Sequence, residues 1–145
     1  MPKTLTFNAR DVVGFSLGDN SAWESRLLID RENTGADSVL MTHFTVKPGQ
    51  AMGEAVGHPQ PYNEIYYVLA GDGVVHVGDP LERRELASGV VVFIPAGTKH
   101  RVENTGTKDL EFLTVMPGPL RPGVNPVYDG RLQAWGTTFK LVSEH

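Results

Sequence analysis

Five histidines, His43, His58, His76, His100 and His145, and no cysteine confine any metal chemistry of this chain to imidazole, carboxylate and amide donors. His100 closes the run GVVVFIPAGTKHRVEN, in which an apolar segment meets a Pro-Gly turn that delivers one imidazole. A turn placed to aim one side chain implies other groups that meet it. Upstream lie His58, Gln60 and Glu64. Alternate residues of an extended chain share a face, so His58 and Gln60 can point at one spot while Glu64 enters from the following strand. His43 in LMTHFTV and His76 in VVHVG are flanked by apolar residues, on segments whose inner faces would line the same interior. Imidazoles gathered beside a carboxylate can hold a divalent metal and move protons.

The elements that must position these groups are strands. With 16 Gly and 10 Pro, the chain punctuates short segments rich in Val, Ile, Phe, Tyr and Thr, among them VLMTHFTV, EIYYVLA, GVVHVG, GVVVFIP and EFLTVM, and no sustained helical period competes. This predicts an all-β sandwich or barrel. Gly71-Asp72-Gly73 is read as a hairpin turn between EIYYVLA and VVHV, Gly78-Asp79-Pro80 as the end of the second of these strands, and Glu82-Arg83-Arg84-Glu85 as a charged loop tip. Residues 1–35 are less regular. The proline-rich tail after Met116 reads as extended, with Trp135 and Phe139 folding back as an arm over a sheet.

At 145 residues with a net charge of −4, the chain suits one domain over residues 1–145 and offers no basic face for nucleic acid or anionic lipid. No apolar leader and no run near the roughly 18 residues of a spanning helix occur, so a soluble, cytoplasmic protein is expected.

Gly89, Pro95, Gly97, His100 and Asn104 reproduce the spacing G-x5-P-x-G-x2-H-x3-N, and this resembles the second signature of the cupin family. His58, Glu64 and Gly71 fall where the first signature, G-x5-H-x-H-x3-4-E-x6-G, has its first histidine, its glutamate and its last glycine. Two positions depart from it: Met52 replaces the opening glycine, and Gln60 replaces the second metal-binding histidine. The resemblance covers about 39–116 and implies a single-domain cupin, a double-stranded β-helix or jelly-roll barrel, with N- and C-terminal arms around it. It implies a metal site of His58, Glu64 and His100, with Gln60 a weak fourth donor, and pairing of two copies through the arms as a homodimer.

An amide binds zinc, iron or nickel less well than imidazole, so the change at Gln60 calls for compensation. His43 and His76 can supply it by converging with His58 and His100 on one divalent metal, zinc first, with iron, nickel or manganese as alternatives. The competing reading for each is a core or interface histidine with satisfied hydrogen bonds. A four-histidine shell suits Lewis-acid chemistry and leaves Glu64, helped by Gln60, to move a proton. Tyr62, Tyr66, Tyr67, Phe44, Phe93, Phe112 and Met116 are candidates for an aromatic cavity, while Lys99 and Arg101 are placed on the solvated face. The stretch HPQPYNEIYYVLAGDG resembles the small stand-alone cupins that act as cyclases in bacterial aromatic polyketide pathways. That resemblance implies a lyase-type cyclase of antibiotic biosynthesis that closes rings in an apolar polyketide by aldol addition and dehydration. The alternatives are a non-haem iron dioxygenase of a small aromatic or diketone, using His58, Glu64 and His100, and a non-catalytic small-molecule-binding module.

Overall fold

The computed structural model describes residues 2–17, 22–53, 57 and 59–142; His58 and His145 lie outside them. The described chain forms nine strands and two α-helices. In chain order these are β1 (Trp23–Ile29), α1 (Arg31–Thr34), β2 (Leu40–Val46), β3 (Ala51–Met52), β4 (Glu64–Ala70), β5 (Gly73–Val77), β6 (Glu82–Leu86), β7 (Val91–Ile94), β8 (His100–Asn104), β9 (Leu110–Met116) and α2 (Pro126–Trp135). Two antiparallel sheets face each other, ordered β1-β2-β9-β4-β7 and β3-β8-β5-β6. This is the all-β sandwich expected from the strand pattern, in the jelly-roll form that the cupin resemblance implies.

Register places matching residues in layers. Thr42 pairs with Thr114, which pairs with Tyr66; Phe44 pairs with Phe112, which pairs with Val68; Leu40 pairs with Met116. Phe44, Tyr66, Val68 and Phe112 meet Val75 and Val102 of the other sheet in the main core, while Leu40 and Met116 join Leu27 and Leu120 in a second cluster. Aromatic contacts run from Trp23 to Phe44 (6.1 Å between centroids), to Phe112 (5.6 Å), to Tyr66 (4.9 Å) and on to the ring of His100 (6.1 Å). Each such contact contributes about 0.5–1.5 kcal/mol beyond the area it buries.

The structure corrects several expectations. Gly71-Asp72-Gly73 does not close a hairpin, because β4 and β5 belong to different sheets and the turn carries the chain between them. Close approach explains the glycines: a Cβ on Gly71 would lie 2.4 Å from Asp109 O, and one on Gly73 2.5 Å from Glu103 O. Glu82-Arg83-Arg84-Glu85 is no loop tip but most of β6, paired along β5 and laced by Arg83–Glu85 and Arg84–Glu82 ion pairs. Residues 1–35 contain β1, whose Trp23 and Leu27 are buried.

The tail is helical where it was expected to be extended. Asn125 caps α2 by accepting from Val127 N and Tyr128 N, Pro126 opens it, and Gly136 closes it at φ 71°. It does fold back: Trp135 meets Phe15 edge-on at 5.4 Å, and Phe139 meets Phe7 at 5.2 Å.

Asn104, last residue of the second motif, is a buried tie. Its Nδ2 donates to Val46 O (2.9 Å) and Lys108 O (2.7 Å), and its Oδ1 accepts from Gly106 N (2.9 Å). Removing the amide leaves backbone groups unpaired in the interior. Asn104→Ala should therefore lower unfolding stability by about 3 kcal/mol in urea titrations.

Candidate active site

The Pro-Gly turn serves to bring two sheets together at one pair of side chains. Glu64, first residue of β4, pairs with Ile94, last residue of β7. From there Pro95 to Thr98 reverse the chain, with Thr98 N donating to Pro95 O (3.1 Å) and Gly97 at φ 80°, and β8 opens with His100 in the opposite sheet. The turn is fixed by the segment before β4, since Gly97 N donates to Gln60 O (2.7 Å) and Ala96 N to Asn63 Oδ1 (2.9 Å).

His100 and Glu64 are both buried, and their Nε2 and Oε1 face each other at 3.5 Å. His100 Nδ1 donates to the carbonyl of Thr98 (3.0 Å), which leaves the Nε2 lone pair directed at Glu64. Glu64 Oε1 is buried and has no hydrogen-bond partner among the described residues. Burial pushes the Glu64 carboxyl up to about 7. Burial also raises Tyr62, to about 12, so its hydroxyl stays a neutral phenol and accepts from Asn125 Nδ2 at 3.0 Å.

The pair opens into a cavity of about 520 Å³. Gln60 and Pro59 line it beside them, Trp23, Leu27, Leu40, Phe44, Tyr66 and Met116 form its barrel walls, and Val124, Val127, Tyr128 and Arg131 bring in the C-terminal segment. Of the aromatic candidates, Phe44, Tyr66 and Met116 line this space. Phe112 is core, Tyr62 packs beside the Leu27–Met116 cluster, and Tyr67 and Phe93 are exposed. Lys99 and Arg101 pair with Asp79 and Glu103 and do not line the cavity.

His43 and His76 do not converge with His100. Thr42 and Phe44 line the cavity, so His43 between them points to the other face, where its Nε2 lies 3.2 Å from Glu111. Opposite His100 in the ladder stands Val77; His76 pairs with Arg101 and turns outward, 3.5 Å from Glu103. Strand alternation with a one-residue offset excludes both from the site, and the four-histidine expectation fails for them. His58 lies outside the described residues. Among the described residues no group of three or more His, Asp or Glu could hold a metal. The two groups that do meet, an imidazole nitrogen and an orphaned carboxylate oxygen aimed at the same spot, fit two donors of a divalent site.

Arg131, Tyr128, Asn125 and Trp23 are lining residues that the sequence reading passed over. The Asn-Pro start and Gly end around VYDGRLQAW were the available signal for the helix that carries Tyr128 and Arg131 and is capped by Asn125.

The chain belongs to the cupin family: residues 42–116 match the family model described as Cupin domain. It is similar to an oxalate-binding protein of Thermotoga maritima, 33% identical over 99 residues, covering 68% of this chain and 78% of that protein. It is 31% identical over 83 residues to the tetracenomycin polyketide synthase protein TcmJ of Streptomyces glaucescens, covering 57% of this chain and 52% of that one. The polyketide cyclase RemF of Streptomyces resistomycificus has the same fold, with a TM-score of 0.69 at 22% identity over 91% of this chain and 94% of that one.

The raised Glu64 carboxyl makes stability depend on pH. The unfolded chain releases this proton in the ordinary carboxylate range, whereas the folded chain holds it to about 7, so unfolding releases a proton between those values and stability falls as pH rises. In chelator-treated protein, about 2–3 kcal/mol should be lost between about pH 5 and pH 8. Urea titrations at the two pH values should show the slope, and Glu64→Gln should flatten it.

Proposed function

We propose that this cupin is a metal-dependent cyclase that folds a poly-β-ketone in its cavity and closes a ring by aldol addition and loss of water. The observation that carries this is the buried Glu64–His100 pair at the wall of a mainly apolar space of about 520 Å³. Such a volume suits a ligand of several rings and is oversized for a small dianion such as oxalate. The similarity to TcmJ supports the same substrate class.

His100 Nε2 and Glu64 Oε1, with His58 as the third donor implied by the family, would hold one divalent metal, zinc first, with iron, nickel or manganese as alternatives. When bound, the metal supplies a Lewis acid that polarises a carbonyl oxygen. Glu64 Oε2 takes a proton from a carbon flanked by two carbonyls, and Gln60 donates a hydrogen bond to the developing enolate oxygen. That carbon then bonds to a distant carbonyl carbon of the same chain, whose oxygen receives the proton. Loss of water from the new alcohol completes the step. The apolar walls fold the substrate and exclude solvent during the transfer.

A second reading gains from the outward placement of His43 and His76, which leaves the ordinary His58, Glu64 and His100 set of an iron dioxygenase. The two readings separate in one series. Elemental analysis of untagged protein should give one metal per chain, lost in His100→Ala and kept in His76→Ala and His43→Ala. Glu64→Gln should lower turnover of a poly-β-ketone by at least about a hundredfold, in line with general acid–base catalysis. Oxygen uptake by ferrous-loaded protein, without ring closure, would transfer the assignment to the dioxygenase.

We further propose a homodimer. Ile65, Tyr67, Leu69, Val91 and Phe93 are exposed apolar side chains on the outer face of β4 and β7, where Ile65 pairs with Phe93 and Tyr67 with Val91. A contiguous patch of this kind suits a second copy. Sedimentation should give a dimer for the native chain and a monomer for Phe93→Glu.

A further inference from the structure

Arg131 is 2% exposed, projects from α2 and lines the cavity, yet no carboxylate forms an ion pair with it among the described residues. Its Nη2 donates to Ser25 Oγ, Cζ lies 5.7 Å from the centroid of Phe15, and Nε is buried with no hydrogen-bond partner among the described residues. The carboxylate whose charge it feels, Asp30, is already engaged by Asn33 N at 3.1 Å and by Thr138 Oγ1. A buried guanidinium is costly unless paired, and a fork of donors that meets only one neutral hydroxyl leaves most of its capacity unused.

Taking Arg131 as an anchor accounts for that arrangement. We propose that Arg131 binds a carboxylate on the substrate, so that the cavity selects ligands with an apolar aromatic or polyketide body and one acidic group. A carboxylate accepting from two guanidinium N–H groups makes the two-point pair that guanidinium geometry favours, in a setting where water does not compete. The proposal rests on the reading of the cavity as a substrate site, and it adds a second polar contact on a different element from Glu64 and His100. With one end of the ligand held on α2 and the reacting end at the strand pair, a single orientation is selected.

The test uses calorimetry with 2-naphthoate and its neutral counterpart 2-naphthamide on metal-loaded and chelator-treated protein. The expected result is that naphthoate binds about tenfold more tightly or better, with or without metal, and that Arg131→Met abolishes this preference while changing amide binding by less than about threefold. Arg131→Gln gives the same comparison if the Met variant does not fold. In His100→Ala the preference should persist. Equal binding of the two compounds, failure of both to bind, a preference that survives Arg131→Met, or one that vanishes with the metal or in His100→Ala would each overturn the proposal. Ring closure is read separately from product formation, so the cyclase assignment can fail while the anchor stands, and the reverse.

Discussion

The antiparallel register that ties β2, β9 and β4 together decides which side chains share the interior. Because successive residues alternate faces, fixing Phe44 against Phe112 and Thr42 against Thr114 fixes everything else on those strands. The aromatic contacts through Trp23, Phe44, Phe112 and Tyr66 hold that register, since a slip by one residue would expose all of them together. They also end against the ring of His100, so the packing that stabilises the sheets sets the position of the imidazole. In this barrel, core packing and site geometry are one constraint.

That constraint explains which parts of the site were legible in the sequence. Gly89, Pro95, Gly97 and His100 announced a turn and an aimed imidazole, each with a local physical cause that a spacing pattern captures, while the tie that Asn104 makes came only with the structure. Glu64 was legible for the same reason, as the first residue of an alternating strand. His43 and His76 were not. Whether a histidine inside a strand faces in or out depends on its partner strand, and apolar neighbours on both sides, as in VVHVG, remove the alternation that would have told the faces apart. Arg131 was hidden differently, because the apolar residues of its ten-residue helix are not gathered on one face, and the helix showed only through its caps.

The interior also shows how polar groups are tolerated there. Asn104 is satisfied at both ends of its amide by backbone partners. Among the described residues Glu64 Oε1 and Arg131 Nε have no hydrogen-bond partner, and both belong to residues that line the same cavity. Unsatisfied buried groups of opposite charge are unfavourable in the empty fold and become favourable when a ligand completes them. Stability sacrificed at two points is consistent with a cavity whose polar atoms are kept ready for something other than the protein.

The wall contributed by α2 has a further consequence. The matched family domain ends at residue 116, and Val124, Tyr128 and Arg131 lie beyond it. The Glu64–His100 pair therefore sits on the matched barrel, whereas part of the cavity wall comes from a segment beyond it. Such a segment can diverge without disturbing strand register. A cavity wall can thus change while the barrel stays the same, and likeness of barrels alone is a poor guide to what each one binds.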